Sequence, residues 1–193
     1  MERGLLLFHF KEPIILPALR HLEDLEDILN LPQPYMVILD SHIARLQPII
    51  KMARKHAKKV LLHADLINGL KSDEHAAEFL CQEIRPDGLI STRGSVLQVA
   101  KRKKLLAIQR IFLLDSLSIE TSFRTFDKVK PDLVELLPGV VPNMIKEVSQ
   151  RTNVPLIAGG LIRTEQDVRM AIQAGATAIT TSNKKLWRLS IKD

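Results

Sequence analysis

Ile157-Ala158-Gly159-Gly160-Leu161-Ile162-Arg163, followed one predicted helix later by Ala178-Ile179-Thr180-Thr181-Ser182-Asn183, decides how this chain is read. In each stretch a short apolar strand runs into small residues at the mouth of a helix. A Gly-Gly turn lets the backbone come close to a ligand. A Thr-Ser pair adds hydroxyls to the N–H groups that a helix start leaves unpaired. Two such turns in consecutive strand–helix units at the C-terminal end match the phosphate cup formed after strands seven and eight of a (β/α)8 barrel. They predict a phosphorylated small-molecule ligand held at Gly159, Gly160, Thr181 and Ser182.

Working outward, short β-rich apolar runs alternate with amphipathic stretches, the pattern of a parallel sheet with crossover helices. Strands are predicted over Ile14–Leu16, Tyr35–Leu39, Lys59–His63, Gly88–Ser91, Leu105–Gln109, Asp132–Leu136, Pro155–Ala158 and Thr177–Thr180. Helices are predicted over Leu22–Asn30, Ile43–His56, Asp73–Ile84, Val96–Lys104, Ile119–Lys130, Pro142–Thr152, Thr164–Ala174 and Asn183–Leu189. Ile43, Leu46, Ile50, Ala53 and Ala57 fall on one stripe. Thr164 is a good N-cap with Asp167 three residues on, Pro142 suits a first helical turn, and Gly175 suits a helix end. Eight strand–helix units fit a compact (β/α)8 TIM-type barrel in a single domain. An open doubly wound sheet is disfavoured because Leu16-Pro17-Ala18-Leu19 lacks a Gly-rich turn after the first strand.

Bulk properties agree with one soluble globular domain. The 193 residues carry 28 Lys+Arg against 22 Asp+Glu, a net charge of +6. Such an excess permits nucleic-acid binding without demonstrating it. The single cysteine, Cys81, lies on the apolar face of a predicted helix, so an internal disulfide and a multi-cysteine zinc cluster are excluded. No apolar run is long enough to span a membrane. Gly4-Leu5-Leu6-Leu7-Phe8-His9-Phe10 ends in Lys11-Glu12-Pro13 without a small-residue cleavage site, which argues against a secretory signal and for a cytoplasmic protein.

In a barrel the ligand site gathers at the C-terminal ends of the strands. Polar residues are plentiful there: Arg20, Asp40, His42, His63, Asp65, Thr92, Arg93, Gln109, Arg110 and Glu135. Asp40 and Asp65 read either as ligand contacts or as loop anchors and caps. His63 reads either as a core residue or as a contact. Arg110 and Glu135 sit in apolar runs and are costly to bury unpaired, so either a ligand or a mutual contact across adjacent strands must satisfy them. Asp40, Asp65 and Glu135 could also hold a divalent metal or serve as acid and base.

Basic residues cluster in Lys51–Lys59 and in Lys101-Arg102-Lys103-Lys104, both at helix C-terminal ends, where cations are favourable. On a barrel these ends emerge on the face opposite the ligand mouth. Lys184 and Lys185 fall in a first helical turn, where positive charge opposes the macrodipole unless an anion lies nearby.

Ile38–Ile43, His63–Lys71, Ala77–Ile84, Ile90–Arg93, Ala107–Ser116, Glu135–Gly139 and Ile157–Arg163 occur in the order and form of the glycerol-3-phosphate-responsive antiterminator family. The chain resembles that family from Ile14 to Trp187. Residues 1–13 lie outside the resemblance and read as an N-terminal extension, with residues 14–193 as the barrel. The resemblance implies a regulator, not an enzyme, that binds glycerol 3-phosphate as effector and acts on the leader mRNA of a glycerol-metabolism operon, letting polymerase pass a terminator. It implies no cofactor and no resident metal, and it leaves a homo-oligomer open. It places the effector at Gly159, Gly160, Thr181 and Ser182; Asp40, Asp65, Arg110 and Glu135 join them by inference from the strand ends. Lys101, Arg102, Lys103, Lys104, Lys184 and Lys185 are the candidate RNA contacts. A small barrel enzyme acting on a phosphorylated triose or glycerophosphodiester is the alternative.

Overall fold

The computed structural model describes residues 12–191, so the extension expected over residues 1–13 lies, as far as residue 11, outside the described residues. The strands are β1 Ile14–Leu19, β2 Tyr35–Ile38, β3 Lys59–His63, β4 Gly88–Ser91, β5 Leu106–Phe112, β6 Leu133–Leu137, β7 Leu156–Gly159 and β8 Ala178–Thr181. They close into a parallel barrel in which each pairs with its sequence neighbours and β1 pairs with β8. The helices are α1 Leu25–Leu29, α2 Ile43–Lys55, α3 Glu74–Phe79, α4 Gly94–Arg102, α5 Ser116–Val129, α6 Pro142–Thr152 and α7 Glu165–Gln173. Beyond the barrel, Ser41–His42 pairs with Ile67–Asn68 in a short ribbon at the C-terminal end of the strands.

Each helix packs an apolar stripe on the barrel. On α2 this is Leu46, Ile49, Ile50 and Ala53, all buried. Ala57, placed on that stripe by sequence, is exposed because the helix has already ended and Ala57 turns back at φ 55°. Thr164 and Asp167 form the expected capping box on α7, and Pro142 opens α6. Cys81 is buried and its thiol is pushed up to about 11, mainly by that burial.

The helix expected over Asp73–Ile84 is α-helical over Glu74–Phe79 and π-helical over Leu80–Ile84. Three further differences from expectation have causes in named contacts. β1 runs past Pro17, whose missing N–H falls where pairing passes from β8 to β2. β5 continues beyond Gln109, because Arg110 lies opposite Glu135 in register and the pair keeps the ladder going. The expected last helix, Asn183–Leu189, is a single 3-10 turn over Lys184–Leu186. Leu186 and Trp187 are buried within that turn, and the Trp187 Nε1–H donates to the Thr181 carbonyl at 2.9 Å, so the chain is pinned before a helix can grow.

The strand registers set the inward side chains of alternate strands into layers, as in other parallel barrels. The lower layers are Tyr35, Gly88, Leu133 and Ala178, then Leu16, Leu61, Ile108 and Ile157, apolar but for the Tyr35 hydroxyl. Above them come Val37, Ile90, Glu135 and Thr180. The top layer is Ala18, His63, Arg110 and Gly159. The interior thus changes from apolar to half polar over its last two layers. In the top layer each long polar side chain faces a small one across the barrel: Arg110 faces Ala18 and His63 faces Gly159.

Candidate functional site

Above that top layer opens a cavity of about 630 Å³. Arg110, Glu135 and Thr180 form its floor, and Gly160–Arg163, Thr181–Asn183, Arg20, Asp40 and Leu66 line it above. A neighbouring cavity of about 530 Å³ shares Arg20 and Asp40 with it and is walled by His42 and Arg45.

Arg110 and Glu135 meet as the sequence allowed. Nε of Arg110 donates to Oε2 of Glu135 at 2.8 Å and Nη2 lies in ion-pair contact with the same oxygen at 2.8 Å, with the two side chains 6% and 1% exposed. Oε1 of Glu135 accepts from Thr180 Oγ1 at 2.7 Å. Both carboxylate oxygens are therefore engaged, while Arg110 Nη1 has no hydrogen bond among the described residues. The pair is a structural contact and a cavity floor at once.

The two small-residue turns behave differently from one another. Gly160 (φ +73°) and Leu161 (φ 60°) take consecutive left-handed conformations at the end of β7. Such a conformation costs a bulky residue on the order of 1 kcal/mol, and Leu161 bears it at the cavity rim. Among the described residues the N–H groups of Gly160, Leu161, Ile162 and Ser182 make no hydrogen bond, and all four residues line the cavity. Consecutive free N–H groups in turns of this kind favour an anion. The helix starts beyond them do not contribute donors: Asp167 Oδ2 already accepts from the N–H of Arg163 and of Thr164, contacts that hold its carboxyl below the usual range. Asn183 Oδ1 likewise accepts from Lys185 N.

Six of the sequence-proposed ligand residues, Gly160, Thr181, Ser182, Asp40, Arg110 and Glu135, come together around this cavity. Gly159 is not on its surface. A Cβ there would collide with Thr180 Oγ1 and come within 3.2 Å of Glu135 Oε1, so this glycine makes room for the floor. Asp65 is the loop anchor that its alternative reading described. It accepts from Ser91 Oγ at 2.5 Å, Thr92 N at 2.7 Å and Thr92 Oγ1 at 3.0 Å, tying the loop after β3 to the end of β4. Asp40 accepts from Asn68 Nδ2 at 3.0 Å, a contact that braces the ribbon. Thr180, Arg163 and Asn183 were not singled out as site residues from sequence. Alternation along Ala178-Ile179-Thr180 points Thr180 inward and could have found it; no local signal marks the other two.

His63 belongs to the top layer, is 2% exposed, and has no partner for either ring nitrogen among the described residues. Burial, reinforced by the Arg110 charge, pushes its pKa down to about 4, although Glu135 and Asp65 oppose the shift. It is neutral at pH 7. Because the unfolded chain binds this proton more readily, the contribution is present above pH 6.5 and is lost as pH falls towards 4. The shift corresponds to about 3 kcal/mol. In urea unfolding from pH 7.5 to 4, the parent is expected to lose that much more stability than His63→Leu; parallel curves would refute it.

The basic candidates divide between the two ends of the barrel. Lys101, Arg102, Lys103 and Lys104 close α4 on the face opposite the cavity. Lys101 Nζ donates to Asp132 Oδ1 and to the Lys130 carbonyl, and Arg102 reaches Glu78 at 3.7 Å; Lys103 and Lys104 have no ion pair among the described residues. Arg85, Lys104 and Lys130 on this face all sit at helix ends in left-handed geometry. Lys58, from the other basic run, is buried and donates to the carbonyls of Leu31 and Gln33. At the cavity end, Lys184 is held by Asp24 at 2.5 Å and Asp27 at 2.9 Å, which raise its pKa above the usual lysine range. Acidic side chains thus offset its unfavourable helix-start position, and Lys185 is left exposed.

No three His, Cys, Asp or Glu side chains converge among the described residues, so Asp40, Asp65 and Glu135 do not form the oxygen cluster that their strand-end positions allowed. Among the same residues no helix is long and apolar enough to cross a membrane.

A family model described as glycerol-3-phosphate responsive antiterminator matches residues 15–187. The crystal structure of the glycerol uptake operon antiterminator regulatory protein from Listeria monocytogenes superposes with a TM-score of 0.91 at 48% identity, over 95% of this chain and 99% of that one. A glycerol uptake operon antiterminator-related protein from Thermotoga maritima gives a TM-score of 0.80 at 29% identity, over 92% and 99%. The uncharacterized protein YgcP of Escherichia coli (strain K12) is 31% identical over 97% of this chain and 98% of its own length.

Proposed function

Because the chain belongs to the glycerol-3-phosphate responsive antiterminator family, we propose that it is an antitermination regulator whose cavity senses glycerol 3-phosphate and whose ligand state governs binding to leader mRNA. The observation that carries this reading is the wall of N–H groups at Gly160, Leu161, Ile162 and Ser182, unpaired among the described residues and lining the same cavity as Arg110. The N–H groups and Arg163 suit the phosphate, and the polar floor suits the glycerol end. Glu135 supports a sensor over an enzyme: both its oxygens are already engaged by Arg110 and Thr180 within the protein.

The RNA surface is the face opposite the cavity. Lys103, Lys104, Lys128 and Lys130 are exposed there at consecutive helix ends, where cations are favourable and phosphates accessible. Leader-RNA binding, measured by fluorescence anisotropy with and without glycerol 3-phosphate, is expected to tighten about 100-fold with ligand, a coupling of about 2.7 kcal/mol. Neutralising Lys103, Lys104 and Lys130 together is expected to weaken it and flatten its salt dependence by about three charges. RNA affinity indifferent to saturating ligand would overturn the sensor reading. Loss of affinity on neutralising Lys185 alone would move the RNA to the cavity face.

A further inference from the structure

His63 is a polar side chain buried in the barrel interior and left without a hydrogen bond among the described residues. Buried polar atoms are nearly always paired, and a native exception calls for a reason. Packing alone does not supply one, since leucine would fill the position without orphaned nitrogens. The charged groups that act on it are Arg110 on β5, Glu135 on β6 and Asp65 in the loop after β3. Glu135 bonds Arg110 and Thr180, Asp65 bonds Ser91 and Thr92, and neither makes a hydrogen bond to the imidazole. Across the barrel stands Gly159, which contributes no side chain, and beside it in the same layer stands Ala18. The space beside Gly159 is taken by Thr180 Oγ1 and Glu135 Oε1, so His63 lies in the layer of Arg110 and Ala18, directly beneath the cavity that Ala18, Arg110, Glu135 and Thr180 line.

Building on the sensor reading, we propose that His63 is a specificity-determining contact of the effector site, bonding a ligand hydroxyl directly or through one water. The chemistry selects the ligand class. A neutral imidazole offers one donor and one acceptor, and an alcohol offers the same pair in return. A carboxylate offers only acceptors and leaves the imidazole lone pair facing negative charge. With the phosphate at the N–H wall, the site takes phosphorylated polyols that keep a free hydroxyl and discriminates against deoxy and carboxylate analogues.

The test is isothermal titration of the full chain with glycerol 3-phosphate and with ethyl phosphate, which carries the phosphate and no hydroxyl. The parent is expected to prefer glycerol 3-phosphate. His63→Leu is expected to lose on the order of 10- to 100-fold for glycerol 3-phosphate while binding ethyl phosphate as before, and His63→Gln to recover much of the preference. Equal loss for both ligands, or loss for neither, overturns the proposal and leaves the phosphate pocket standing. A parent that binds neither ligand overturns the sensor reading itself, and this proposal with it. Should the variants not fold, the imidazole nitrogens of the unaltered protein are read by NMR. Their resonances are expected to move with glycerol 3-phosphate and not with ethyl phosphate; an identical response to both overturns the proposal.

Discussion

Glu135→Ala is expected to lower the free energy of unfolding by about 3–5 kcal/mol, the cost of leaving a buried charge without its partner. Arg110, 6% exposed, would keep its charge beside a hole, and the Thr180 hydroxyl would lose its acceptor. The comparison that isolates the cause is the double variant Arg110→Met/Glu135→Leu. It removes both charges, fills the space with apolar atoms, and is expected to regain most of the loss, because the desolvation cost disappears along with the attraction. Urea unfolding at pH 7 measures both, with comparable slopes required for the midpoints to be compared. A Glu135→Ala protein within about 1 kcal/mol of the parent would mean that water reaches Arg110 and that the floor is more open than its burial indicates.

Ser182→Asp is expected to weaken glycerol 3-phosphate binding by about 100-fold or more while leaving the unfolding midpoint nearly unchanged. A phosphate carries a charge of about −1.5 to −2 at neutral pH. A like charge about 4 Å away costs roughly 4 kcal/mol at the effective dielectric of a protein surface, and the half-open position of Ser182 reduces this to about 2.7 kcal/mol, a factor of about 100. Stability is spared because Ser182 is half-exposed and its hydroxyl makes no hydrogen bond among the described residues. Ser182→Ala removes one neutral hydrogen bond and is expected to cost at most about tenfold. Isothermal titration of the three proteins decides the matter. Unimpaired binding by the aspartate variant would place the phosphate elsewhere.

The alternation of apolar runs and amphipathic stretches made the barrel legible, because every strand and most helices bury a face whose period survives in the sequence. Where the reading failed, a contact distant in sequence overrode the local pattern. Arg110 interrupts an apolar run and seemed to lie beyond the strand; Glu135, opposite it in register, continues the strand. Asn183–Leu189 has the composition of a helix, and Trp187 bonding back to Thr181 stops it after one turn. In the site, residue types at strand ends singled out Gly160, Thr181, Ser182, Asp40, Arg110 and Glu135 as ligand contacts, and all six line the cavity. Residue types could not separate Asp40 from Asp65, since that distinction depends on which neighbouring loop offers donors. Gly159 was read as giving a ligand close approach, and it does its work on a neighbouring side chain. Lys184 looked like a cation awaiting an anion; the anions are Asp24 and Asp27, far away in the chain.

The pairing of Ala18 with Arg110 separates two properties that most binding sites entangle. Arg110 supplies charge at the floor, and bore comes from what Ala18, lining the same cavity, omits. Enlarging Ala18 by a methyl or two would narrow the aperture without touching a single polar group. Ligand girth and ligand chemistry can therefore drift independently along a lineage, one codon governing the calibre of the tube and others its affinity.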